Sequence, residues 1–406
     1  MAVRQQALTL VAPVRTSVLP GLSDRLDAAE SDVQDALVAV PSLHFARFVL
    51  LDGPSGPGTR LAFESNHDGD LGPHLVSLCK ALAPFEDLLF GSWEGYQKGD
   101  LAGFVDKHAV SASTFYLGHP GLSVPQIIND RDLRQRLEEL LDEEVDGLDL
   151  EGESSASVRT RLLGRLPAEL STGPIDRGLP PQPVSTIVFW TLVVLVVLPL
   201  VIVFVPLALL VEWNERRTEP ARELTPEGDP RLDPINRRED AITQNGLTHH
   251  VALRPGLYRR TVFRIVLWFL ETTRQLISYE GQLNGISSIH FARWVLLDDD
   301  SVLFFSNYDG SWEAYLGDFV DKAHLYLTAV WSNTKWFPDT NALVFAGAAK
   351  ENAFKQWTRT FQVENRIWYS AYKTLTVNQV LRNALIREGA SGDMTEKEAR
   401  AWLALL

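Results

Sequence analysis

Two eleven-residue stretches, SLHFARFVLLD at Ser42–Asp52 and SIHFARWVLLD at Ser288–Asp298, differ at only two positions. The echo continues in order. SNHDG at Ser65–Gly69 answers SNYDG at Ser306–Gly310, and SWEGY at Ser92–Tyr96 answers SWEAY at Ser311–Tyr315. FVDK recurs at Phe104–Lys107 and Phe319–Lys322, and LSVPQII at Leu122–Ile128 answers LTVNQVL at Leu375–Leu381. Ordered repetition of this kind marks a duplicated module. Two copies are too few for a solenoid, whose repeats bury their faces only by stacking in series. They suit a pseudo-two-fold pair, so the chain is expected to fold as two α+β modules packed against each other.

Within a module the aromatic and β-branched run HFARFVLL reads as a largely buried strand, followed by turn chemistry and a hairpin partner ending in SNxDG. Ser311–Leu327 places Trp312, Tyr315, Phe319, Ala323 and Tyr326 at helical spacing, with Ser311 as the N-cap. A later strand and helix complete a ferredoxin-like order. The expected division is a first α+β module over 1–150, a tether over 151–185 and a hydrophobic segment over 186–211. A charged linker over 212–256, an interfacial helix over 257–283 and a second α+β module over 284–406 follow.

Thr186–Val211 carries no charge. An apolar run of this length is expected to lie in a lipid bilayer, as a straight span or as a re-entrant hairpin bent at Pro199 and Pro206. Arg216, Arg217, Arg222, Arg231, Arg237 and Arg238 on the far flank point to the cytoplasm by the positive-inside rule. The expectation is a membrane protein with cytoplasmic modules. Leu257–Gln282 gathers Arg260, Arg264, Glu271 and Arg274 on one arc, with Phe263, Trp268 and Phe269 elsewhere, the pattern of a helix lying in the membrane interface. A net charge of −14 argues against nucleic acid as a partner. The lone Cys79 rules out an intrachain disulfide, and no spaced Cys/His pairs suggest a metal site.

The repeated polar residues are the candidates for chemistry. Asp68 and Asp309 end a strand before glycine, as turn anchors or as acid–base groups. His44, His290, Arg47, Arg293, Asn66 and Asn307 are candidate ligand-binding residues. His and Arg three apart on a regular strand point to opposite faces. Glu94 and Glu313 read as helix-start carboxylates.

A tandem ferredoxin-like pair with a strand-terminal Asp-Gly resembles the dimeric α+β barrel superfamily, and distantly the dye-decolorising heme peroxidases. Their signature is G-x-x-D-G, with the Asp above the heme and a separate histidine on the iron. Asp68, Gly69, Asp309 and Gly310 match that motif, while Ser65 and Ser306 stand at its first glycine. The resemblance implies the fold and, as one functional reading, a heme-dependent oxidoreductase. The leading reading is a ligand-binding or scaffolding protein, and a third is a lipid-modifying enzyme.

Overall fold

The computed structural model describes residues 3–52, 58–147, 153–178, 229–239, 242–276 and 286–406, with isolated positions between 185 and 215. Its first module runs β1 (Gln5–Pro13), α1 (Leu22–Leu37), β2 (Leu43–Leu51), β3 (Arg60–Asp68), α2 (Leu71–Leu82), α3 (Leu101–His108), β4 (Thr114–Leu117) and α4 (Val124–Gly147). Helices α5 (Ser155–Gly164) and α6 (Asp233–Glu239) follow. The second module runs β5 (Gln244–Ala252), α7 (Leu257–Leu276), β6 (Ile289–Leu296), β7 (Ser301–Asp309) and α8 (Trp312–Trp331). It continues through the short strands β8 (Thr340–Asn341) and β9 (Phe345–Ala346), α9 (Glu351–Phe361), β10 (Gln362–Val363), β11 (Asn365–Ser370), α10 (Val377–Glu388) and α11 (Glu396–Leu403).

The two large sheets are antiparallel, ordered β1-β3-β2-β11 and β10-β5-β7-β6-β4. Each therefore ends in a strand taken from the other module. β11 pairs with β2, and β4 pairs with β6. A self-contained ferredoxin-like unit would keep its fourth strand, so the expected modules are modified here by exchange. The exchange seals the β2 and β6 edges, which would otherwise present unpaired backbone.

Covering on both faces explains why HFARFVLL does not alternate cleanly. Ala46 and Phe48 of β2 join a core with α1, α2 and α3, whereas Val49 and Leu51 meet Val295, Leu297, Leu303 and Phe305 of the other sheet. A strand buried on both faces has no polar side. The architecture is helices, sheet, sheet, helices, with the candidate residues between the sheets.

Three expectations need correction or relocation. β5 lies inside the stretch read as a charged linker, and its pairing with β7 makes it the first strand of the second module. The helix read as interfacial is α7, which joins β5 to β6 as α1 joins β1 to β2. Its Phe263 and Leu267 are buried in the module core. Arg259 bonds Glu215, and Arg260 pairs with Asp300 at 3.1 Å. The Phe263 side of its pattern is met by protein, while Trp268 stays 66% exposed.

The expected membrane-embedded helical segment is also corrected. Among the described residues no helix is long and apolar enough to cross a membrane, and most of Thr186–Val211 lies outside them. Just beyond that run the chain is fastened to the second module. The buried Glu212 carboxylate accepts from the Ala342 and Leu343 N–H groups at 3.0 and 2.9 Å.

Candidate functional site

The strand pairing slips by one residue at the same place in both modules. Leu43 opposes His67 and Phe45 opposes Asn66, leaving His44 as the extra residue of a β-bulge. Ile289, Phe291 and the bulged His290 repeat the pattern against Tyr308 and Asn307. A bulge shifts the side-chain alternation by one. His44 and Arg47 therefore both face the space between the sheets, as do His290 and Arg293, contrary to the opposite-face expectation for a regular strand.

At the bulged end lies a hydrogen-bonded array. Asp68 Oδ1 is 2.9 Å from His44 Nε2, and Asp309 Oδ1 is 2.8 Å from His290 Nε2. The second oxygen of each carboxylate accepts a helix N-terminal amide, Val124 N at 2.8 Å and Val377 N at 2.7 Å. The central members are Tyr372 and His119, carried in just beyond the exchanged strands. Tyr372 Oη is 2.8 Å from His44 Nδ1, and His119 Nε2 is 3.3 Å from both Tyr372 Oη and His290 Nδ1.

One tautomer assignment accounts for every bond from Asp68 to Asp309 and leaves the buried His119 Nδ1 without a partner among the described residues. His119 Nε2–H is shared between the Tyr372 oxygen and His290 Nδ1. Tyr372 donates to His44, and His44 and His290 each donate to an aspartate oxygen. Burial pushes His119 well below the usual imidazole range and Tyr372 well above the usual phenol range, so both stay neutral. Gln5 and Gln244, first in their strands, hold the loops: Gln5 donates to Leu122 O at 2.9 Å and Gln244 to Tyr372 O at 3.1 Å.

One layer inward, a single carboxylate serves two guanidiniums. Glu64 lies 2.5 Å from Arg47 Nε and 2.7 Å from Arg293 Nη2, and all three side chains are at most 1% exposed. Arg47 also donates to Leu247 O, Ser306 O and Asn307 Oδ1, while Arg293 donates to Leu8 O, Ser65 O and Asn66 Oδ1. Each arginine thus reaches into the opposite module. The second module has Phe305 at the register position of Glu64, and Arg47 lies 5.4 Å from that ring. Burial lowers both guanidiniums, Arg293 to about 10, while Glu64 opposes the shift.

The structure thus brings all eight candidate residues into one inter-sheet layer. It also adds five that the repeat did not flag: Gln5, Glu64, Gln244, His119 and Tyr372. The glutamines head a further echo, Gln5-x-x-Leu8-Thr9 and Gln244-x-x-Leu247-Thr248. His119 and Tyr372 each precede a matched valine, Val124 or Val377, by five positions but differ in type. The turn expectation covers Gly69 and Gly310, at φ +73° and +81°, whereas Asp68 and Asp309 bond across the fold.

These residues do not fit a heme. An axial histidine needs a ring nitrogen free for iron. Both nitrogens of His44 and His290 are engaged, and their rings lie 5.0 and 5.3 Å from Phe291 and Phe45. The peroxidase-like expectation is corrected on that ground. Compared with known proteins, the chain matches no family model, no curated protein and no solved structure.

Proposed function

We propose that this chain is a binding protein, a ligand-binding or scaffolding pair of α+β modules, in which the duplicated aspartates and histidines hold the modules together. The closed array from Asp68 to Asp309 supports this reading most. Every carboxylate oxygen and every nitrogen of His44 and His290 is engaged, and the His44, His119 and His290 rings are fully buried. A general base needs reach to a substrate proton. These groups reach each other instead. Lipid-modifying chemistry through the same residues meets the same obstacle.

The test pairs stability with binding. Asp68→Asn or Asp309→Asn should cost about 1 kcal/mol, because the amide oxygen still accepts the helix N–H and the amide nitrogen can face the other histidine tautomer. Asp309→Ala should cost about 2 kcal/mol or more, since it strands both partners. Compounds from a small-molecule library that raise the melting temperature of the wild type should raise that of the Asn variants equally and be recovered unchanged. Conversion of any such compound by the wild type, lost in a folded Asp309→Asn variant, would sink the proposal.

A further inference from the structure

The two copies of the HFAR strand differ in one aromatic residue. Where the first module has Phe48, the second has Trp294. Phe48 is sealed in a solid aromatic core, with its ring centre 4.7 Å from Phe63 and 6.2 Å from Phe90. Trp294 instead lines a cavity of about 80 Å³ between α7, α8 and the β4–β6 pair. The walls are largely apolar, with Leu270 on α7 and Phe319, Leu327 and Val330 on α8. Two polar atoms on this lining are buried and make no hydrogen bond among the described residues: the Trp294 indole Nε1 and the Thr273 hydroxyl. Trp294 is only 7% exposed.

A buried N–H without a partner carries a desolvation penalty, and native proteins leave few of them. Water answers the problem poorly here. A buried water typically makes about three hydrogen bonds, and the buried wall atoms that lack a partner among the described residues are these two. Arg274 stands at the edge of the cavity but is held by Glu271 at 2.5 Å. Glu271 also accepts from Thr114 Oγ1 and Phe115 N, so it fixes α7 to the strand that the first module contributes. The cavity is therefore built by both modules, and its charged groups are spent on its frame.

We infer that this cavity is the binding site of a small, uncharged, mostly apolar molecule carrying a hydrogen-bond-accepting oxygen, which the Trp294 indole N–H receives with the Thr273 hydroxyl beside it. The inference rests on the binding-protein reading and names the class of ligand. The indole can only donate, so it selects an acceptor. The apolar walls select against charge.

Cyclohexanone and methylcyclohexane are the probes, matched in size and differing in the acceptor. In the full chain, cyclohexanone should bind saturably and shift the indole N–H resonance of Trp294, assigned by its loss in Trp294→Phe. Methylcyclohexane should bind about tenfold more weakly, and Trp294→Phe should weaken cyclohexanone binding by about tenfold, the scale of one buried hydrogen bond. Phe occupies the equivalent place in the first module, so the variant is expected to fold. Should it not, Thr273→Val, expected to weaken cyclohexanone severalfold, takes its place. Equal affinity for the two probes, no binding of cyclohexanone, or a shift confined to other tryptophans would overturn the site. Library compounds that bind without moving the Trp294 resonance would leave the binding-protein reading standing while this site falls.

Discussion

Replacing Glu64 with Gln is expected to destabilise the folded chain by about 3–5 kcal/mol, the usual cost of removing one partner from a buried ion pair. The change preserves shape and removes only the charge. It strands Arg47 and Arg293 together, two guanidiniums at most 1% exposed that share this carboxylate. A loss of that size is a large part of the 5–15 kcal/mol typical of a domain. Chemical denaturation of wild type and variant reads it directly. Introducing Phe305→Glu into the Glu64→Gln background should recover part of the loss, because position 305 lies against Arg47 from the other module. A Glu64→Gln variant within about 1 kcal/mol of wild type would show that the arginines are neutralised in some other way.

Acid should unfold the protein early. Burial is the largest cause depressing His67 and His250 to about 4, His249 to about 3 and His74 to about 2, and it holds His119 well below the ordinary range. In the unfolded chain each would titrate near 6.5. The unfolded state therefore binds more protons below that pH, and stability is complete above about 6.5 and falls as pH drops towards 4. Each such histidine adds a slope of up to about 1.4 kcal/mol per pH unit. His249 isolates one contribution, since neither ring nitrogen has a partner among the described residues and the ring sits against Trp331 and Trp357. His249→Phe should flatten the dependence of melting temperature on pH between 6.5 and 4.5 and raise stability at neutral pH. An unchanged slope would contradict this account.

The repeat made the modules legible because the same residues serve the same contacts twice. His44 and His290, Arg47 and Arg293, and Asp68 and Asp309 were all found by their recurrence, and all meet between the sheets. What could not be read was the bulge. Nothing in S-x-H-F-A-R announces the extra residue that turns His and Arg to one face. Strand exchange was hidden for a related reason, since Phe115 and Ile367 look alike whichever sheet they join. The SWE echo misled about position. Ser311 caps α8 directly after Gly310, whereas α2 begins directly after Asp70, and His74 bonds Ser65 as Tyr315 bonds Ser306. Helix α7 was legible as amphipathic, but periodicity does not say whether protein or lipid covers the apolar face.

The central claim is that exchanged strands and the shared polar layer make the two modules one cooperative body. Native-state hydrogen exchange on a Trp357→Ala variant tests it most directly. Trp357 is buried in the second module's core, and its truncation should cost about 3–5 kcal/mol. If the modules unfold as one, the amides of β2 in the first module should lose the same protection free energy as those of β6 in the second. Undiminished protection in β2, alongside a full loss in β6, would show that the modules unfold independently and would contradict the account.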